Sequence, residues 1–101
     1  MNRRAIAKVL IDATGQLFVA PELEPDSTYE YIYREANGLR WYKALRALHA
    51  YEPERWDHVE LLRHISATLK SACDEELKIT DDTVWEGVTP ELRSRLRSAL
   101  N

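Results

Sequence analysis

The chain has 101 residues, with fourteen basic and seventeen acidic side chains and a formal net charge of −3 when histidines are neutral. With 45% hydrophobic and 31% charged residues it is too apolar for a disordered segment, and no apolar run approaches the roughly 20 residues that cross a bilayer. The single Cys73 excludes an internal disulfide framework and multi-cysteine zinc patterns, and three glycines are too few for a glycine-rich phosphate loop.

In chain order, Arg4 to Asp12 reads as a strand carrying Ile6, Val9, Leu10 and Ile11. The stretch Asp12-Ala13-Thr14-Gly15-Gln16 supplies turn chemistry, and Leu17 to Ala20 returns as a second strand stopped by Pro21. Glu22 to Ser27 is an acidic, proline-bearing connector. The segment Tyr29-Glu30-Tyr31-Ile32-Tyr33 alternates like a strand, and Asn37-Gly38 is a hairpin signal. The same letters fit a helix capped by Asp26 or Ser27, with Tyr29, Ile32, Tyr33 and Ala36 as its apolar stripe and Asn37-Gly38 as its C-cap. The helix accommodates Arg34, Glu35 and Ala36 better than a strand does.

Leu39 to Tyr42 and Arg46 to Tyr51 read as a second hairpin ended by Pro53, with a helix over Lys43 to Ala50 as the rival. Asp57 opens a capping box with Glu60, and Trp56 is placed to staple onto Leu61. His58, Leu61, Leu62, Ile65, Leu69 and Ala72 then repeat at helical spacing, which predicts a helix from His58 to Cys73. Leu77 to Thr80 is a short strand and Asp81-Asp82 a turn. Thr89-Pro90-Glu91 starts a last helix with Leu92, Leu96, Ala99 and Leu100 on one face. The order ββ-α-ββ-α-β-α predicts an α+β fold in which an antiparallel sheet of two hairpins plus a short strand is packed by about three helices, one domain over residues 1–101.

Reaction motifs are scarce. Glu60 and His64 share a helix face, but the second histidine of a zinc-protease pattern is missing, so the pair reads as a surface contact. Cys73 and His64 are nine positions apart, roughly 13 Å along a helix, which separates any nucleophile from its base. Cys73 reads as a buried thiol. The acids between Asp74 and Glu86 lack the spaced ligands and central glycine of a calcium loop, and read as a solvated edge. Arg93, Arg95 and Arg97 complement a helix C-terminus, and in an acidic chain they give nucleic acid little electrostatic pull.

Charge is arranged in blocks. Residues 21–36 hold five acids and one arginine, −4, and residues 39–49 hold Arg40, Lys43 and Arg46, +3. Residues 74–86 carry −5 and residues 87–101 carry +2. Opposite blocks on separate elements suit pairing between copies. The large rings Tyr29, Tyr31, Tyr33, Trp41, Tyr42, Tyr51, Trp56 and Trp85 add polar-tipped apolar area of the kind found in cores, clefts and interfaces.

Tyr29-Glu30-Tyr31-Ile32-Tyr33-Arg34-Glu35-Ala36, Leu39-Arg40-Trp41 and Leu77-Lys78-Ile79-Thr80-x-x-Thr83-x-Trp85-x-x-Val88 together resemble a family of short bacterial proteins of uncharacterised activity, of the kind encoded on integron gene cassettes and in environmental DNA. The resemblance spans Tyr29 to Val88. It implies a compact α+β domain, often oligomeric, with no catalytic residues to carry over. It also favours a helix over Tyr29–Ala36 and strands over Leu39–Tyr51.

The expectation is a non-enzymatic, cytoplasmic homo-oligomer, most simply a dimer. The alternative is a small-molecule binder whose cleft is lined by Tyr33, Trp41, Tyr42, His64 and Trp85. A third reading, an enzyme pairing His64 or His58 with a carboxylate, ranks last. No catalytic residue, metal site or cofactor is predicted, and neither nucleic acid nor a membrane is an expected partner.

Overall fold

The computed structural model describes residues 2–35 and 38–100. Among these residues there are six strands: β1 (Asn2–Ile11), β2 (Leu17–Pro21), β3 (Leu39–Tyr42), β4 (Ala47–Ala50), β5 (Glu75–Lys78) and β6 (Val84–Glu86). The helices among the described residues are α1 (His58–Cys73) and α2 (Pro90–Leu100), with short 3-10 turns at Ile32–Glu35 and Pro53–Arg55. The strands form one sheet in the order β3-β4-β2-β1-β5, and β6 also pairs with β1.

Both hairpins form. Asp12 holds the first turn: its Oδ1 accepts from the backbone N–H of Thr14 and of Gln16, each at 3.0 Å, while Gly15 takes the positive φ that the turn requires. In the second hairpin Leu39 faces Ala50 and Trp41 faces Leu48, and Arg46 takes the left-handed position in the connecting loop.

The sheet is mixed, not antiparallel, which corrects the expectation. β5 and β6 both run parallel to β1, end to end along the edge that β2 leaves free. Helix α1 is the cause. It leaves β4, crosses the sheet and delivers β5 in the same direction as β4 and β1, as a helical crossover does. Between β5 and β6 the chain bows away from β1. Thr83 fills the gap by donating its hydroxyl to the Ile6 carbonyl at 2.7 Å, and its Oγ1 accepts from the Thr80 N–H.

Helix α1 starts where the sequence placed it. Asp57 Oδ1 accepts from the N–H groups of Val59 at 2.7 Å and Glu60 at 3.1 Å, and Asp74 ends the helix in the left-handed region. Leu61, Leu62, Ile65 and Leu69 are buried, and α2 adds Leu96. These pack onto Ile6, Val9, Leu17, Val19, Leu39, Leu48 and Leu77 of one sheet face.

The third predicted helix is absent among the described residues. Tyr29 to Glu35 contains only the four-residue 3-10 turn, because one turn suffices to bury Tyr29 and Ile32 while Tyr31, Tyr33 and Arg34 stay outside. An α-helix that short has too little packing to offset its nucleation cost. Ala36 of the expected stripe and Asn37 of the expected cap lie outside the described residues. Cys73 and Ala72, expected to be buried, are exposed because they close the last turn of α1, where Asp74 swings the chain away.

Candidate interaction surface

The exposed side of the 3-10 turn carries an alternating run of rings and cations. The Arg34 guanidinium carbon sits 4.5 Å from the centre of the Tyr31 ring and 6.0 Å from that of Tyr33. Arg40 of β3 continues the run, 5.9 Å from Tyr33 and 4.4 Å from Tyr51. Five side chains from three separate segments therefore alternate Tyr31, Arg34, Tyr33, Arg40, Tyr51. The backbone hydrogen bond from Tyr51 to the Gly38 carbonyl, 2.7 Å, brings the last ring beside Arg40.

This ladder faces outward. Tyr31 is 58% exposed, Tyr33 46% and Tyr51 59%. Among the described residues neither Arg34 nor Arg40 enters an ion pair. Arg40 does donate to the Leu39 carbonyl at 2.9 Å. A guanidinium seated over a ring can still donate to a planar acceptor such as a carboxylate. Tyrosine and arginine are also the residue types that dominate the binding energy of protein interfaces.

The sheet face opposite the core carries Leu10, Phe18, Tyr42, His49 and Val84. Phe18 lies edge-on to Tyr42 at 5.4 Å and is stacked with His49 at 5.3 Å. The ion pairs Lys8–Glu86 and Lys78–Glu76, both 2.7 Å, lie along the same face. His49 Nδ1 accepts from the Gln16 amide at 2.8 Å. Burial holds the His49 imidazole below its ordinary value, and the nearby Arg40 pushes the same way. The unfolded ring then binds more protons than the folded one in the window just below pH 6.5. Stability is expected to be complete above that window and to fall as the pH drops through it. Thermal melts across it should show that decline, and His49→Gln should remove it.

A buried polar network ties β1 to β5. Glu75 accepts from Arg4 Nε at 2.6 Å and from the Tyr29 hydroxyl at 2.6 Å, while Arg4 Nη1 donates to the Glu22 carbonyl at 2.9 Å. Burial and the Glu75 carboxylate push the Tyr29 phenol well above its ordinary value. Beside it a recess of about 220 Å3 is lined by Thr28, Tyr29, Ile32, Glu35 and Cys73 among others. Partial desolvation of its sulfur in this recess, with Glu75 and Glu35 nearby, raises the otherwise exposed Cys73 thiol, which keeps it protonated and a poor nucleophile at neutral pH. A larger groove of about 490 Å3 between α1 and α2 is lined by Asp57, Glu60, Arg63 and Arg95 together with two serines. The hydrogen bond with Asp57 raises the Glu60 carboxyl.

The five residues expected to line a cleft fall in different places. Trp41 lies on the core face, 5.6 Å from Tyr29 and edge-on to it, whereas Tyr42 next to it projects from the opposite face. Trp85 packs toward the core under Arg93, whose guanidinium carbon is 5.2 Å from the ring centre. His64 stacks on Trp56 at 4.5 Å, and Trp56 packs against the core cluster that includes Leu61. Tyr33 is the centre of the ladder. His58 Nε2 donates to the Gly15 carbonyl at 2.8 Å. Arg34, Arg40 and the outer tyrosines were not singled out as a site by the sequence. Its one signal was the Tyr29-x-Tyr31-x-Tyr33 spacing, which says nothing about Arg40 or Tyr51.

No helix among the described residues is long and apolar enough to cross a membrane. No family model and no curated protein matches the chain. Among solved structures it is similar to one described as "Structure from the mobile metagenome of North West Arm Sewage Outfall: Integron Cassette Protein Hfx_Cass5", at 33% identity over 99% of this chain and 97% of that one, with a TM-score of 0.45. The identity along nearly the whole of both sequences carries the kinship, and the superposition adds nothing to the fold described above.

Proposed function

The chain belongs to the same family as the integron cassette protein Hfx_Cass5, and we propose that it works as a non-enzymatic homo-oligomeric interaction module, most simply a cytoplasmic dimer of one-domain chains. The observation that carries this reading is the outward-facing Tyr31–Arg34–Tyr33–Arg40–Tyr51 ladder. Three large rings held by two cations form a preorganised surface: each ring offers wide contact area at the cost of only two torsions, and the arginines fix the ring orientations. The blockwise charge along the chain supplies the complementary sign within the same molecule.

The ladder supports this reading over catalysis because it is built of three tyrosines and two arginines, with no histidine or carboxylate among its five side chains. It also includes Tyr33 from the set of residues expected to bind. Tyr33→Ala together with Tyr51→Ala should weaken self-association by at least about tenfold, the scale of one interface hot spot. Both positions are exposed, so the melting temperature of the monomer should change little. Sedimentation velocity across a micromolar dilution series reads the effect, and an unchanged association constant would count against the ladder as the contact.

A further inference from the structure

We infer that the ladder grips the acidic connector Glu22–Asp26 of a second copy, and that the second copy's ladder grips the connector of the first. The inference rests on the reading above that the chain self-associates through the ladder, and it names what the ladder holds.

Arg34 and Arg40 form no ion pair among the described residues, although each is fixed on a ring. Both lie about 6 Å from the centre of the Tyr33 ring, so their guanidinium carbons are within about 12 Å of one another. Along the chain, most acids of the 74–86 block already have partners: Glu75 holds Arg4, Glu76 holds Lys78, Glu86 holds Lys8 and Asp81 meets Arg97. The connector differs. Glu22, Glu24 and Asp26 are all exposed and enter no ion pair among the described residues.

The connector is also held in place by its backbone. The Glu22 N–H donates to the Ala5 carbonyl at 2.8 Å, and the Glu22 carbonyl accepts from Arg4. Arg46 Nη2 donates to the carbonyls of Glu24 and Ser27. Arg3 and Arg4 share a recess with Glu22 and Glu24, yet the Arg4 guanidinium is taken up by Glu75 and by the Glu22 main chain. The carboxylates are therefore presented outward from a fixed strap. Glu22 and Glu24 are two residues apart, about 7 Å at extended spacing, within the reach of two long arginine side chains inside that span.

Reciprocity follows from position. The connector leads into the segment that carries Tyr31, Tyr33 and Arg34, so the acidic and basic halves follow one another along the chain. A two-fold axis between them places each half against its complement on the other copy, which closes the assembly at a dimer.

A charge-reversal pair tests this. Glu22→Lys with Glu24→Lys sets lysines against arginines in a homodimer, and Arg34→Glu with Arg40→Glu sets glutamates against glutamates. Each variant alone should sediment as a monomer at concentrations where the unmodified chain is a dimer, with unchanged circular dichroism. Mixed in equal amounts, the two should restore a dimer, because both contacts then regain opposite signs. A misfolded variant would not be rescued in this way. Reversals that leave the dimer intact, or a mixture that stays monomeric, overturn the inference while the dimeric reading stands. An unmodified chain that is itself monomeric overturns both.

Discussion

Gly87→Ala is expected to destabilise the fold by about 3 kcal/mol, through two causes that add. Gly87 adopts a φ of +67°, and an L side chain in the left-handed region costs about 1–2 kcal/mol. A Cβ at that position would also lie 2.2 Å from the Ile11 carbonyl oxygen, which belongs to the backbone of β1 and cannot swing aside. Relief requires β6 and the chain after it to shift away from β1, where Leu10 faces Glu86 and Val9 faces Trp85. Urea unfolding should show a lower midpoint at an unchanged slope. Gly15 also has a positive φ, but an added methyl there would meet no atom within 4 Å, so the same substitution should cost less. A loss at Gly87 no larger than at Gly15 would contradict this account of the β1–β6 junction.

Glu75→Ala should cost about 2–3 kcal/mol, at or below the roughly 3–5 kcal/mol that removing one partner of a fully buried ion pair costs. The substitution takes the acceptor from both Arg4 Nε and the Tyr29 hydroxyl. Arg4 sets the discount. Its side chain is 31% exposed and keeps the Glu22 carbonyl, so water recovers part of its solvation. The Tyr29 hydroxyl loses its acceptor inside the core, a loss of about 1–3 kcal/mol for an unsatisfied buried group. Glu75→Gln keeps an acceptor for Tyr29 and should cost less than Glu75→Ala. Equal losses for the two would show that the hydrogen bond to Tyr29 contributes nothing. The network bears on association as well, because Arg4 and the Glu22 main chain fix the acidic strap at its start.

Local chemistry was legible wherever a few neighbouring residues decide the structure. Asp12 and Gly15 announce the first turn, Asp57 with the apolar spacing gives α1 from His58 to Cys73, and Thr89-Pro90-Glu91 gives the start of α2. The parallel placement of β5 and β6 was not legible, since it depends on α1 crossing the sheet after β4. Strand β6 is three residues long and gives little local signal beyond Val84 and Trp85. The helix expected over Tyr29–Ala36 rests on Tyr29, Ile32 and Tyr33 falling at helical spacing, but of these only Tyr29 and Ile32 find a core.

The ladder explains why the surface was harder to read than the fold. Tyr31, Tyr33 and Arg34 are neighbours in sequence, but Arg40 and Tyr51 join them only because β3 and β4 pair with Leu39 against Ala50. Five residues from three segments therefore make one feature that no local spacing encodes. The blocks of charge are visible in the sequence, whereas which acids remain unpaired depends on the ion pairs that the sheet creates.

Self-association is tested most simply by sedimentation equilibrium of the unmodified chain at micromolar concentration and moderate salt. The expected result is a species of twice the 11.8 kDa chain mass that dissociates as salt screens the arginine–carboxylate contacts. A single 11.8 kDa species at every concentration and salt would contradict it.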